Sequence, residues 1–174
     1  MKKMAHALIA LSLAVPMLAQ DGTKFYRLDF ALKELDENHK VVSQKNYSTF
    51  MSTDDRVKGA LIRTGTKVPY QSSAGTNYNY LDVGVNIDCQ KIQELNGQLV
   101  VQVSADITSV PAPSGVGTSG NPAESAVPGM PLVRQNRWNS VAVVAIGKAT
   151  TLFSSDDLNT KRKLQLELTA TPIK

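Results

Sequence analysis

The chain has little of what most enzymes and disulfide-stapled proteins rely on. Cys89 is the single cysteine in 174 residues, so no disulfide can form within the chain. Histidine is almost as scarce, with only His6 and His39. His6 falls in a leader expected to be removed, which leaves His39 alone in a polar turn. A serine triad or a histidine-based zinc site therefore has almost nothing to build on, and a nucleophile lacks its usual base. Gly115, Gly117 and Gly120 lie in a proline-rich stretch rather than between a strand and a helix, so no phosphate cradle is visible. No cofactor or metal is implied.

Charge of one sign is not in excess either, with 19 Lys and Arg against 15 Asp and Glu. Loss of Lys2 and Lys3 with the leader takes the formal charge from +4 to +2. That balance argues against nucleic acid as a partner, which usually demands a clustered basic face. Lys161-Arg162-Lys163 is the one local basic cluster, and it reads as the solvated start of a strand.

The leader itself is Met-Lys-Lys, then an apolar run from Ala5 to Val15, then Pro16-Met17-Leu18-Ala19-Gln20. A short basic region, a short apolar core and a small residue before a polar start describe a secretory signal peptide over residues 1–19. The run falls short of the roughly 20 apolar residues that cross a bilayer, so no transmembrane helix remains after cleavage. Residues 20–174 are enough for one domain with its own core. Cys89 is expected to be a small buried hydrophobe rather than a reactive thiol.

What the chain has is alternation. Leu81, Val83, Val85, Ile87 and Cys89 fall on one face of a strand, with Tyr80, Asp82, Gly84, Asn86 and Asp88 on the other. Leu99, Val101, Val103, Ala105 and Ile107 repeat the pattern against Gln102, Ser104, Asp106 and Thr108. This period of two marks strands with one buried face. Asn96-Gly97 between the arms is the pair best able to take positive φ, so residues 78–110 predict a long β-hairpin.

Other strands follow from the same signal. Tyr26, Leu28, Phe30 and Leu32 alternate with Arg27, Asp29 and Lys33. Asp36-Glu37-Asn38-His39 is a turn and Val41–Thr53 the return strand; a short helix over Phe25–Leu35 is the alternative, and the aromatic content favours strand. Gly59–Tyr70 reads as a strand weakened at Gly65 and ended near Pro69. Val141–Ile146 and Ala149–Ser154 flank a Gly147-Lys148 turn. Leu164, Leu166, Leu168 and Ala170 define a last strand that Pro172 ends. Seven or eight strands without a convincing helix predict an all-β fold, an antiparallel sandwich or rolled sheet. Between them, residues 111–131 hold five prolines and four glycines, a composition that cannot offset its ordering entropy and predicts a flexible loop.

Two groupings invite chemistry. Asp54-Asp55 and Asp156-Asp157 each follow Ser or Thr; they are turn caps, or, if the two turns meet, oxygen ligands for calcium. A hydrolase using these acids would lose activity on Asp54→Ala or Asp156→Ala. Arg134, Arg137 and Trp138 are either an interaction surface, since Arg and Trp are over-represented in binding hot spots, or a tryptophan capping the core with two arginines paired to nearby carboxylates.

One order of motifs is familiar. Gly65-Thr66-Lys67-Val68-Pro69-Tyr70 precedes Tyr80-Leu81-Asp82-Val83-Gly84, then Gly97-Gln98-Leu99-Val100-Val101, then Ile107-Thr108-Ser109-Val110. Over about residues 61–147 this resembles the β-rich core of the bacterial secretins, the ring-forming outer-membrane channels of type II and type III secretion and of pilus systems. That family carries a Gly-x-x-Val-Pro element before a Tyr-x-Asp-Val-Gly strand, and a second strand ending in Ser-Ser-Val. Arg137 and Val141–Gly147 sit where the family places an arginine and a valine-rich strand before a glycine turn. The family's glycine pair and Pro/Gly/Leu-rich membrane lip do not follow here, and Gln20–Arg56 leaves no room for its ring-building domains. The resemblance implies a module rather than a complete channel.

The expectation is an exported, non-catalytic β-module of the cell envelope, periplasmic, outer-membrane-associated or secreted. It would act through protein–protein contacts, self-association included, in or beside a secretion or pilus assembly. The alternative is a free-standing periplasmic or secreted β-sandwich that binds a ligand or protein unrelated to secretion.

Overall fold

The computed structural model describes residues 22–71, 78–110, 133–157 and 161–173. Residues 1–19, expected to be a signal peptide, and the Pro/Gly-rich stretch expected to be a flexible loop (111–131) lie outside the described residues. Eight strands account for the fold: β1 (Phe25–Leu35), β2 (Val41–Ser52), β3 (Ala60–Gln71), β4 (Tyr78–Leu95), β5 (Gln98–Ser109), β6 (Arg134–Ala145), β7 (Thr150–Asp156) and β8 (Lys163–Ile173). They form two four-stranded sheets, β2-β1-β8-β7 and β3-β4-β5-β6, with every pairing antiparallel. No helix among the described residues is long and apolar enough to cross a membrane.

The alternating faces meet in one core. Tyr26, Leu28 and Phe30 of the first sheet and Ile87, Leu99, Val101 and Val103 of the second belong to a single buried cluster. Each of these side chains removes enough apolar surface from water to contribute about 1.5–3 kcal/mol. The two sheets are also tied by polar atoms at one end. The Tyr26 hydroxyl donates to Glu94 Oε2 (2.6 Å), and Lys24 Nζ donates to the same oxygen (2.7 Å).

The central hairpin forms as its alternation predicts. Asn96 (φ 51°) and Gly97 (φ 74°) both take the left-handed region, the geometry of a tight hairpin turn. β4 runs farther than Gln90, because a bulge between Cys89 and Lys91 resets its register and turns Ile92 into the core. Without that extra residue Ile92 would face solvent. Phe25–Leu35 is a strand and not a helix. Its turn to β2 is held by the Asp36 carboxylate, which accepts from the Asn38 and Lys40 amides.

Two strands run a residue or two past the expected stops, to Gln71 and Ile173. β3 continues through Pro69, which pairs in register with Tyr80. It can do so because, among the described residues, no strand pairs with the outer side of β3. β8 likewise passes Pro172, opposite Tyr26; β7 covers β8 only from Lys163 to Leu168. The strand expected over Val141–Ile146 begins earlier, at Arg134, so that Arg134, Arg137 and Trp138 belong to the same strand, β6. The basic triplet opens β8 as expected, and each member is ion-paired: Lys161 with Glu37, Arg162 with Glu34 and Lys163 with Asp156.

Candidate functional site

β5 pairs with β4 only as far as the rung Gly84–Thr108, whereas β3 follows β4 to its start. Thr66–Gln71 and Tyr78–Val83 therefore leave the second sheet as a two-stranded ribbon, about 20 Å long at the usual rise per residue. Tyr78 and Tyr80 are well exposed on it, at 63% and 64%. Val68 faces Leu81 across the ladder, on the face that continues the apolar line of Val85 and Ile87.

At the same end the sheets part. From Val41 to Asn46 every residue of β2 is exposed on both faces, whereas a sheet strand with a cover alternates. A cleft of about 830 Å³ opens between the layers. Tyr47, Lys45 and Glu34 line its first-sheet wall, and Val85, Ile107, Gly65 and Gly84 its second-sheet wall. The Arg134–Asp157 pair (2.5 Å) and the Arg162–Glu34 pair (2.8 Å) stand at its rim. Nothing in the sequence announced this cleft. It arises from where two sheets stop covering each other, and such long-range geometry leaves no periodic signal.

The three residues singled out on β6 do not share one face. Alternation places Arg134 and Trp138 toward the interior and Arg137 outward. Trp138 packs on the core and against Phe153, with ring centroids 5.8 Å apart. Arg134 binds Asp157. Arg137 reaches across to Asp106 (2.8 Å) but stays 72% exposed. Burial pushes the Asp106 carboxyl up, but the bonds from Arg137 and Gln135 outweigh it and hold the group below its ordinary range.

The aspartate pairs are far apart. Ser52, just before Asp54, pairs with Phe25 at one end of β1. Asp156 pairs with Lys163, which pairs with Leu35 at the other end, about 33 Å away at the strand rise. The two turns cannot share a cation. Asp54 caps its own turn: it accepts from the Arg56 amide and guanidinium, which draw its carboxyl down to about 2. Asp55 pairs with Lys91. Among the described residues no three His, Cys, Asp or Glu side chains come together as a metal site. Cys89 is buried, and that burial, with the nearby Asp88 charge, pushes its thiol up to about 12.

No protein-family model matches the sequence, and no curated protein matches it. Solved structures give distant, partial matches. The type III secretion injectisome secretin InvG of Salmonella is 9% identical over 87% of this chain and 64% of its own, with a TM-score of 0.49. The type II secretin XcpQ of Pseudomonas aeruginosa is 11% identical over 87% and 56%, at 0.44. ExeD of Aeromonas hydrophila is 12% identical over 87% and 46%, at 0.43. The chain spans less than two thirds of the length of each.

Proposed function

We propose that the chain is a secretin-like, non-catalytic β-module of the bacterial cell envelope, exported and acting through protein–protein contacts in or beside an outer-membrane secretion or pilus assembly. The observation that carries this reading is the convergence of the motif residues. Gly65, Val68 and Pro69 of β3 lie in register with Gly84, Leu81 and Tyr80 of β4, and Thr108 of β5 completes the Gly84 rung. Among the described residues the sheet so formed ends on both sides in strands of 12 residues with no outer partner strand, β3 and β6. Long free edges offer rows of unpaired backbone groups to another chain.

Self-association would use those edges, with Arg137, Val141 and Val143 on the exposed face of β6 as side-chain contacts. Val141 and Val143 are 64% and 54% exposed and stand on the outer face of the same edge strand as Arg137. Arg134 and Trp138 would act from beneath, by holding β6 in place. The inter-sheet cleft favours a second reading, a free-standing periplasmic or secreted protein that binds a ligand there.

Native mass and location after gentle cell fractionation separate the two. A detergent-stable ring in the outer-membrane fraction supports the secretin-like module. A soluble monomer near its formula mass overturns it and leaves the free-standing binding protein.

A further inference from the structure

The charges around the cleft between the sheets do not balance. Lys45, Arg134, Arg162 and Lys163 line it, against the carboxylates of Glu34, Asp156 and Asp157. Those carboxylates are already engaged: Asp157 with Arg134, Glu34 with Arg162 and Asp156 with Lys163. Lys45 is the cation left over, and among the described residues no carboxylate pairs with it. Its position is unusual as well. Lys45 pairs across the ladder with Leu32, and Tyr47 with Phe30, and both partners belong to the buried core. Directly opposed residues share a face, so Lys45 and Tyr47 lie on the inner face of β2, about 7 Å apart along the strand. A covered inner face carries apolar residues. Here it carries an ammonium, and beside it a Tyr47 hydroxyl with no hydrogen-bond partner among the described residues. The apolar lining comes from the central strands: Leu32 of β1 on one wall, Val83 and Val85 of β4 and Ile107 of β5 on the other.

We propose that the cleft binds a single-chain amphiphile, a hydrocarbon chain ended by one carboxylate. The chain lies along Leu32, Val83, Val85 and Ile107, and the carboxylate accepts from Lys45 Nζ and the Tyr47 hydroxyl. The proposal rests on the reading of this cleft as a ligand site and adds the chemistry of the ligand. One unbalanced cation calls for one negative charge, and a charge-assisted bond to an ammonium is among the stronger hydrogen bonds. A second negative charge would find only cations that Glu34, Asp156 and Asp157 already hold. The cleft's volume of about 830 Å³ falls in the range of sites for single small molecules, about 300–1,000 Å³. That suits one chain rather than a folded partner.

Two probes that differ only in charge test this. cis-Parinaric acid is a long-chain carboxylic acid that fluoresces once it leaves water, and its methyl ester is the same chain without the charge. Both are titrated into the mature protein. The acid should bind at one per chain and the ester about ten-fold more weakly, the scale of a hydrogen bond to a charged group. Lys45 is exposed, so its replacement leaves the core intact. Lys45→Met keeps the stem and drops the charge; it should bring the acid down to the ester's affinity and leave the ester unchanged. Lys45→Arg should restore the preference. Equal binding of acid and ester by the native chain would overturn the anionic ligand and leave the cleft as an apolar site. A preference that survives in Lys45→Met would place the carboxylate elsewhere and overturn the proposal as well. Binding of neither probe would overturn, along with it, the reading of the cleft as a ligand site.

Discussion

Gly65 and Gly84 stand directly opposite one another in the β3–β4 ladder, although 19 positions separate them in the chain. The first belongs to the Gly-x-x-Val-Pro element and the second closes the Tyr-x-Asp-Val-Gly strand. Their meeting gives both motifs a physical reason: one rung at which two backbones come too close for any side chain. Gly84→Ala is expected to lower stability by about 2–3 kcal/mol, because the new methyl must displace the Thr64 carbonyl. Gly97→Ala, where φ is +74° but nothing lies within 4 Å, should cost only about 1 kcal/mol of backbone strain. Urea unfolding of the two variants compares them; equal losses would mean that the close approach is absent in solution.

The central hairpin was legible in the sequence because its signal is local. Ten alternating positions and one Asn-Gly pair fix strand, face and turn together. Pro69 and Pro172 place their strand ends to within two residues, at Gln71 and Ile173; that each proline is itself still paired depends on which strands lie at edges, and so on partners distant in sequence. The cleft and the ribbon are further out of reach, since both depend on β4 outrunning β5 and on two sheets diverging. Arg134, Arg137 and Trp138 were visible as unusual residues, but their division between two faces emerged only once β6 was seen to be one unbroken strand.

Tyr26 gives the fold a response to alkali. Its hydroxyl is pushed from 10.0 to about 12 by burial first, and by its hydrogen bond and proximity to the Glu94 carboxylate. The folded state thus holds the proton more tightly than the unfolded chain. The associated stability is complete below about pH 10 and is lost as pH rises toward 12. Tyr26→Phe should cost about 1 kcal/mol at neutral pH by removing the bond that ties the sheets, and should flatten the fall in stability above pH 10. Urea midpoints at neutral and alkaline pH measure both effects; an unchanged alkaline slope would separate Tyr26 from the response.

Cys89 supplies a direct test of the hairpin register. It lies at the bulge of β4, 1% exposed, with its thiol raised to about 12 by burial above all. Little thiolate forms near neutral pH, and a thiol reagent has no path to it. Native protein should therefore resist modification by a maleimide, while protein in urea reacts completely, as read by intact mass. Rapid labelling under native conditions would place Cys89 on the outer face and shift the register of β4 by one residue.

Asp54 separates a local turn from a distant site. Its carboxyl is held near 2 by hydrogen bonds from the Arg56 side chain first and the Arg56 amide second. The group is deprotonated more readily in the folded state than in the unfolded one, so its contribution is present above the ordinary value of 3.8 and fades as pH falls toward 2. Replacing Arg56 with Ala should return the carboxyl toward 3.8, as followed by NMR titration. A carboxyl that stayed near 2 in that variant would mean that Arg56 is not what holds it down.

Arg134 and Arg137 make the last comparison, because they carry the same charge on opposite faces of β6. Arg134 is 30% exposed beside an Asp157 of 21%, and its Nε is buried without a hydrogen-bond partner. Arg134→Ala removes the guanidinium that donates to the partly buried Asp157 carboxylate (2.5 Å) and should cost about 1–2 kcal/mol. Arg137→Ala removes a mostly exposed guanidinium, and Gln135 still donates to Asp106 (3.0 Å). Its effect on stability should stay within about 0.5 kcal/mol. If the exposed face of β6 is a contact surface, that same variant should weaken self-association, read as a lower native mass at equal concentration. A large stability loss at Arg137, or none at Arg134, would reverse the assignment of the two faces.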